Sequence, residues 1–167
     1  MLKVLMAVLT FLGLATAGQQ LKEGDQAYDF TLMSDEGKPI KLSDYKGKWV
    51  VLYFYPKADT PGCTTQAKEY TKLIDEFKKH NIQVFGISTD DLESIRKFKQ
   101  KYNLKVTFLS DQKGEVAKAY GIPLIFGLCS RNTVIVNPQG KVEKIYRGVD
   151  PSADAKNVLD YITQKRS

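Results

Sequence analysis

The sequence predicts an α/β fold with a central mixed sheet flanked by helices, and three observations carry that prediction. Short apolar runs, residues 48–55, Ile82–Ser88 and Asn132–Val136, have the length and the Val, Ile, Tyr and Phe content of buried strands. Segments with apolar residues at helical spacing alternate with them, which favours a sheet covered on its faces. The turn Asn137-Pro138-Gln139-Gly140 folds the chain back as a hairpin, so antiparallel pairing joins the crossovers.

Taken in order, residues 27–32 and 39–42 read as strands around the turn Ser34-Asp35-Glu36-Gly37. Residues 43–47 form a short connector, and residues 48–55 the central strand. A helix starts at Thr60-Pro61, because Thr suits the N-cap and Pro the first helical position. Its stripe is Cys63, Ala67, Tyr70, Leu73, Ile74 and Phe77. Ile82–Ser88 is a second buried strand, followed by a helix over 91–102 with Leu92, Ile95, Phe98 and Tyr102 inward. A short strand at 106–108 and a helix at 113–120, stopped by Gly121, come next. Asn132–Val136 pairs with 141–146, and a helix over 152–163 capped by Ser152 closes the chain. The apolar segment 122–128 reads either as ordinary core or as an exposed hydrophobic lip.

The 167 residues carry a formal charge of +6. Most of the positive residues are lysines spread over helix faces, among them Lys68, Lys72, Lys97 and Lys101, which reads as solvated surface. With no phosphate-binding glycine loop, finger spacing or aromatic RNA signature, a nucleic-acid partner is not expected. One His and two separated Cys make a poor metal-ligand set, so neither a metal nor another cofactor is expected. Residues 1–17 read as a secretory signal: Lys3, an apolar core over 4–14, and the small-residue site Ala15-Thr16-Ala17. The run is too short to span a membrane, so cleavage, no stable membrane anchor and an exported location, periplasmic or otherwise extracytoplasmic, are expected. Residues 18–167 then form one domain.

The stretch Tyr55-Pro56-Lys57-Ala58-Asp59-Thr60-Pro61-Gly62-Cys63 carries the chemistry. It puts Cys63 in the first helical turn, three residues after the cap, where a capping box usually holds Glu or Gln. Free amides and the positive end of the helix dipole favour an anion there, hence a thiolate. A structural cysteine at a strand–helix junction fits the placement as well.

Pro56-x-x-x-Thr60-x-x-Cys63 resembles the active-site signature of the peroxiredoxins, and residues 54–64 resemble their Q-type, or bacterioferritin comigratory protein, branch. Residues 24–30, residues 42–48 and the late Arg131 extend the similarity. The resemblance implies a thioredoxin-like fold and a thiol-dependent peroxidase for hydrogen peroxide and organic hydroperoxides. It implies that Cys63 is the peroxidatic thiol, oxidised to a sulfenic acid. Thr60 orients the peroxide, Pro56 shields the thiol, and Arg131 holds the thiolate with support from Gln66. The first-turn amides at Gly62 and Cys63 would add donors.

The chain departs from the branch at the resolving cysteine: Lys68 stands five residues after Cys63, and the helix over 91–102 has no Cys. Cys129 is the internal candidate, because a strand beginning there would share a face with Arg131. The alternative resolver is an external thiol, from a thioredoxin-like protein or a small molecule. A non-catalytic thioredoxin-fold protein with a structural Cys63–Cys129 disulfide is the competing function. A monomer is expected for this branch.

Overall fold

A computed structural model describes residues 21–166. The expected leader at 1–17 lies outside the described residues. Seven strands form one mixed sheet in the order β2-β1-β5-β4-β3-β8-β9. They are β1 (Thr31–Ser34), β2 (Pro39–Lys41), β3 (Trp49–Phe54), β4 (Ile82–Ser88), β5 (Thr107–Ser110), β8 (Asn132–Val136) and β9 (Val142–Arg147). β3, β4 and β5 run parallel, while β8 joins β3 antiparallel and β9 joins β8 antiparallel. Two short strands, β6 (Leu124–Ile125) and β7 (Leu128–Cys129), pair as a separate hairpin. The helices are α1 (Pro61–Lys79), α2 (Leu92–Tyr102), α3 (Glu115–Ala119) and α4 (Asp154–Arg166).

β3 is buried on both faces, and its alternation divides the core in two. Val51, Tyr53 and the following Tyr55 point to one cluster, with Cys63, Ala67 and Tyr70 of α1, Ile95 and Phe98 of α2, and Val158 and Ile162 of α4. Val50, Leu52 and Phe54 point to the other, with Ala117, Tyr120 and Cys129. On the first face Tyr53 stacks on Tyr70 with ring centroids 4.4 Å apart. On the second, Tyr120 donates to the carbonyl of Tyr28 at 2.6 Å.

The expected elements shift where side chains take over backbone groups. The first strand was expected over 27–32 and runs instead from Thr31. Asp29 is the cause: its carboxylate accepts the amides of Phe30 and Ser43, and the Phe30 carbonyl accepts from Leu42. The connector at 43–47 opens as a 3₁₀ turn, Leu42–Tyr45. The third helix starts at Glu115 rather than 113, where buried Asp111 accepts the amides of Val116 and Ala117. Ser152 does not cap the last helix. Asp150 accepts both its amide and its hydroxyl, and α4 begins two residues later. The β6–β7 hairpin was not anticipated, because two-residue strands carry no readable periodicity.

Gly86 lets β4 pass under two aromatic rings. A Cβ there would lie 2.8 Å from Tyr53 Cζ and 2.9 Å from Phe108 Cδ1. Gly86→Ala is expected to destabilise the fold by roughly 1–3 kcal/mol through overpacking, measured as a lower urea midpoint with unchanged slope.

Candidate active site

β3 delivers the chain to Pro56, and α1 carries it away from Thr60. The loop between them is tethered on two sides. The Ala58 amide donates to Asp90 Oδ2 at 2.8 Å, and Ser88 donates to the same oxygen at 2.8 Å. On the other side Asp59, in the left-handed region at φ 63, accepts from Lys101 Nζ at 2.9 Å and Tyr102 Oη at 2.6 Å. Those two bonds hold its carboxyl below the usual carboxylate range, Tyr102 contributing most.

Thr60 takes the N-cap position with extended backbone, φ −100 and ψ 158, and Pro61 is the first helical residue. Its side chain does not cap, contrary to the reading from sequence. The hydroxyl donates to the Lys57 carbonyl at 2.7 Å. With its proton committed there, the oxygen keeps lone pairs for an incoming O–H group.

Cys63 lies in the first turn and is 1% exposed. First-turn amides, those of Gly62 and Cys63 included, have no intrahelical partner and aim at this space. Arg131 arrives from across the sheet, at the bend just before β8. Its Nη1 approaches Cys63 Sγ at 3.5 Å and donates to Gln66 Oε1 at 2.9 Å. Behind them, Gln66 Nε2 donates to Asp154 Oδ2 at 3.1 Å. Tyr70 Oη and Thr133 Oγ1 reach the same oxygen at 2.7 Å each. Burial raises the Asp154 carboxyl above its ordinary range, while the bonds from Tyr70, Thr133 and Gln66 and the charge of Arg131 pull it back.

The structure therefore brings together Cys63, Arg131, Gln66 and Gly62, with Thr60 and half-buried Pro56 at the loop before them. It does not bring Cys129 to Cys63. The strand ends at Cys129, Ser130 is tied back to the Pro123 carbonyl, and Arg131 belongs to a different segment, so the shared face expected from a two-residue step does not exist. Cys129 packs with Leu52 and Phe54 on the opposite face of the sheet from Cys63. Both thiols are free. Burial, reinforced by the charges of Asp111 and Asp90, pushes the Cys129 thiol up to about 12, which keeps it protonated at neutral pH. Lys68, five residues after Cys63, lies over the Tyr102 ring at 4.9 Å.

Asp154 escaped the sequence reading. An acidic residue in the first turn of a helix reads as a complement to the helix dipole, and nothing local marks it as buried. Segment 122–128 is core at its start and an exposed hairpin tip beyond it. Ile122 is core, whereas Ile125 is 59% and Phe126 99% exposed. No group of residues suited to a metal ion occurs among the described residues.

A thiol in a first helical turn, faced by a guanidinium on a thioredoxin-like sheet, defines a thiol-based redox enzyme. Comparison with known proteins gives the family. Residues 23–145 match the AhpC/TSA family. A Helicobacter pylori protein described as a peroxiredoxin bcp is 41% identical over 149 residues, spanning 85% of this chain and 98% of its own. Among solved structures, the peroxidoxin BcpB of Mycobacterium tuberculosis superposes with a TM-score of 0.81 at 33% identity, covering 89% of this chain and 100% of that one. The Xanthomonas campestris bacterioferritin comigratory protein, whose alkyl peroxide reduction has been studied, gives 0.80 at 28% identity, with 88% and 98% covered. The chain belongs to the AhpC/TSA family, in its peroxiredoxin Q branch. Peroxiredoxins are thiol-dependent peroxidases, and a non-catalytic disulfide-stapled protein is not favoured.

Gly62 sets the clearance for the arginine. A Cβ there would lie 2.8 Å from Arg131 Nη2. The guanidinium sits on a flexible stem and can move aside, so Gly62→Ala is expected to cost little stability. It is expected to lower the rate of Cys63 oxidation roughly tenfold, since small misplacements at a reacting centre are amplified in rate. Stopped-flow peroxide kinetics beside a urea melt checks the split.

Proposed function

We propose that Cys63 is the peroxidatic residue and that an external thiol restores it. The observation that carries the reading is the Arg131 guanidinium 3.5 Å from a sulfur held at a helix start. The Cys63 thiolate attacks one peroxide oxygen in line, the O–O bond breaks, and its electron pair leaves with the other oxygen. Arg131 and the first-turn amides stabilise the developing charge, and a proton from solvent completes water or the alcohol. Thr60 accepts the peroxide O–H and so orients it, and Pro56 limits access of water. Sulfur is left as a sulfenic acid. A reductant thiol then displaces water to form a mixed disulfide, and a second thiol releases reduced Cys63 as the reductant disulfide. The position of Cys129 across the sheet supports the external route.

Organic hydroperoxides belong in the substrate range on this reading. The apolar tip of the β6–β7 hairpin supports it, as does the alkyl peroxide reduction of the Xanthomonas campestris relative. Thr89 donates to the Gly127 carbonyl at 2.9 Å, next to Asp90, which holds the active-site loop. We further propose a monomer that is exported and loses residues 1–17, as Lys3 and the Ala15-Thr16-Ala17 site suggest. No helix among the described residues is long and apolar enough to cross a membrane.

Cys63→Ser is expected to abolish thiol-dependent peroxide consumption. Wild-type protein treated with one equivalent of peroxide and no reductant should gain a single oxygen at Cys63 while Cys129 remains a free thiol, by intact mass and peptide mapping. A Cys63–Cys129 disulfide would overturn the external route, and a wild-type rate no faster than free cysteine would sink the peroxidase assignment.

Phe126 and Gly127 form a two-residue turn with φ of 52 and 77, the type I′ geometry in which Asn suits the first position and Phe is strained. Phe126→Asn is expected to raise stability slightly. It should also lower turnover of a bulky hydroperoxide severalfold and leave hydrogen peroxide unaffected. Equal effects on the two substrates would remove the hairpin from substrate selection.

A further inference from the structure

We infer that Asp154 is a positioning residue for the peroxide reaction: by accepting the Gln66 amide N–H it turns the Gln66 carbonyl toward Arg131, and so sets the guanidinium on the Cys63 sulfur. The inference rests on the reading of Cys63 as the reacting thiol.

The argument turns on the two unlike ends of one amide. Gln66 is fully buried, with Asp154 Oδ2 at 3.1 Å from its nitrogen and Arg131 Nη1 at 2.9 Å from its oxygen. A guanidinium only donates, and an ionised carboxylate only accepts. Rotating the amide by half a turn would set its oxygen against the carboxylate and its NH₂ against the guanidinium. Both hydrogen bonds would become repulsive contacts. Gln66 therefore has one orientation, and the carboxylate selects it.

Asp154 can impose that choice because it is itself held. Tyr70 of α1 and Thr133 of β8 each donate to the same oxygen at 2.7 Å. The consequence reaches the sulfur because Nη1 is shared, donating to Gln66 and lying 3.5 Å from Cys63 Sγ. Gly62 leaves room for the guanidinium, since a Cβ there would lie 2.8 Å from Arg131 Nη2. The Gln66 carbonyl is then what holds Nη1 beside the sulfur. Without it, the guanidinium is free to follow solvent or the Asp154 carboxylate directly. A bare anchoring role for Asp154, tying α4 to α1 and β8, makes a different prediction, since it would not act through Gln66.

Asp154→Leu keeps the approximate size but removes the acceptor oxygen that Gln66, Tyr70 and Thr133 share, so Gln66 loses its orienting partner. The rate constant for Cys63 oxidation by hydrogen peroxide is expected to fall about tenfold, as for other small displacements of a reacting group. The ultraviolet titration of the Cys63 thiolate should move to higher pH, with the far-ultraviolet circular dichroism of the wild type retained. A double-mutant cycle with Gln66→Met locates the effect. In the Q66M background D154L should change the rate less than twofold, following the coupling logic of such cycles. An equal loss in both backgrounds, or an unmoved thiolate titration, overturns the inference. Should D154L not fold, Asp154→Ala takes its place in the same cycle: an equal loss in both backgrounds overturns the inference, and a loss confined to the Gln66 background supports it. Failure of the peroxidase reading is distinguishable, because wild type and C63S would then react alike.

Discussion

A single buried carboxylate oxygen joins the elements that make the site. Asp154 Oδ2 receives Gln66 and Tyr70 from α1 and Thr133 from β8, while Asp154 itself opens α4. A carboxylate taken out of water is costly unless donors replace its solvation. Here three donors do so, and they come from two elements that must already be packed together. Burial still raises its pKa. The folded protein thus holds the Asp154 proton more tightly than the unfolded chain does. The stability linked to that proton is complete below the unfolded range and is lost as pH rises through the folded pKa. At neutral pH the ionised network costs stability, which the surrounding packing offsets, and the chain retains it at the point that governs Arg131.

The sheet has a second consequence, the separation of the two thiols. β3 sends alternate side chains to opposite faces, and Cys63 and Cys129 are packed against different faces. Cys63 stands at a helix terminus beside a guanidinium, surroundings that favour an anion. Cys129 stands among apolar side chains with two carboxylates in the vicinity, surroundings that suppress one. The same functional group therefore meets surroundings that favour a thiolate on one side of the sheet and surroundings that disfavour one on the other. On the proposed reading, the second thiol comes from outside the core.

The loop between β3 and α1 shows how a short segment is made rigid without regular structure. Asp90 holds it through Ala58, and Lys101 and Tyr102 of α2 hold it through Asp59. Thr60 completes the brace by donating to Lys57 rather than to the helix. A hydroxyl fixed in this way presents its oxygen in one direction, which is what orientation of a small peroxide requires.

Much of this was legible in the sequence. The central strand, the helix start at Thr60-Pro61 and the placement of Cys63 follow from local rules, apolar runs and the position of proline, although the Thr60 hydroxyl turns to Lys57 instead of capping. The importance of Arg131 and Gln66 came through the family signature, because an arginine at a strand start reads otherwise as surface charge. Strand and helix limits moved where Asp29, Asp111 and Asp150 captured backbone amides, a competition no periodicity records. What only the tertiary structure decided was which residues meet. Asp154 lies 88 positions from Gln66 in the chain, and its burial depends on how α4 packs on α1. Cys129 lies two residues from Arg131 and yet faces away from Cys63, because β7 ends before the chain turns into β8. Local chemistry is written along the chain, whereas the side of a sheet on which a residue lies is set by the pairing of distant strands.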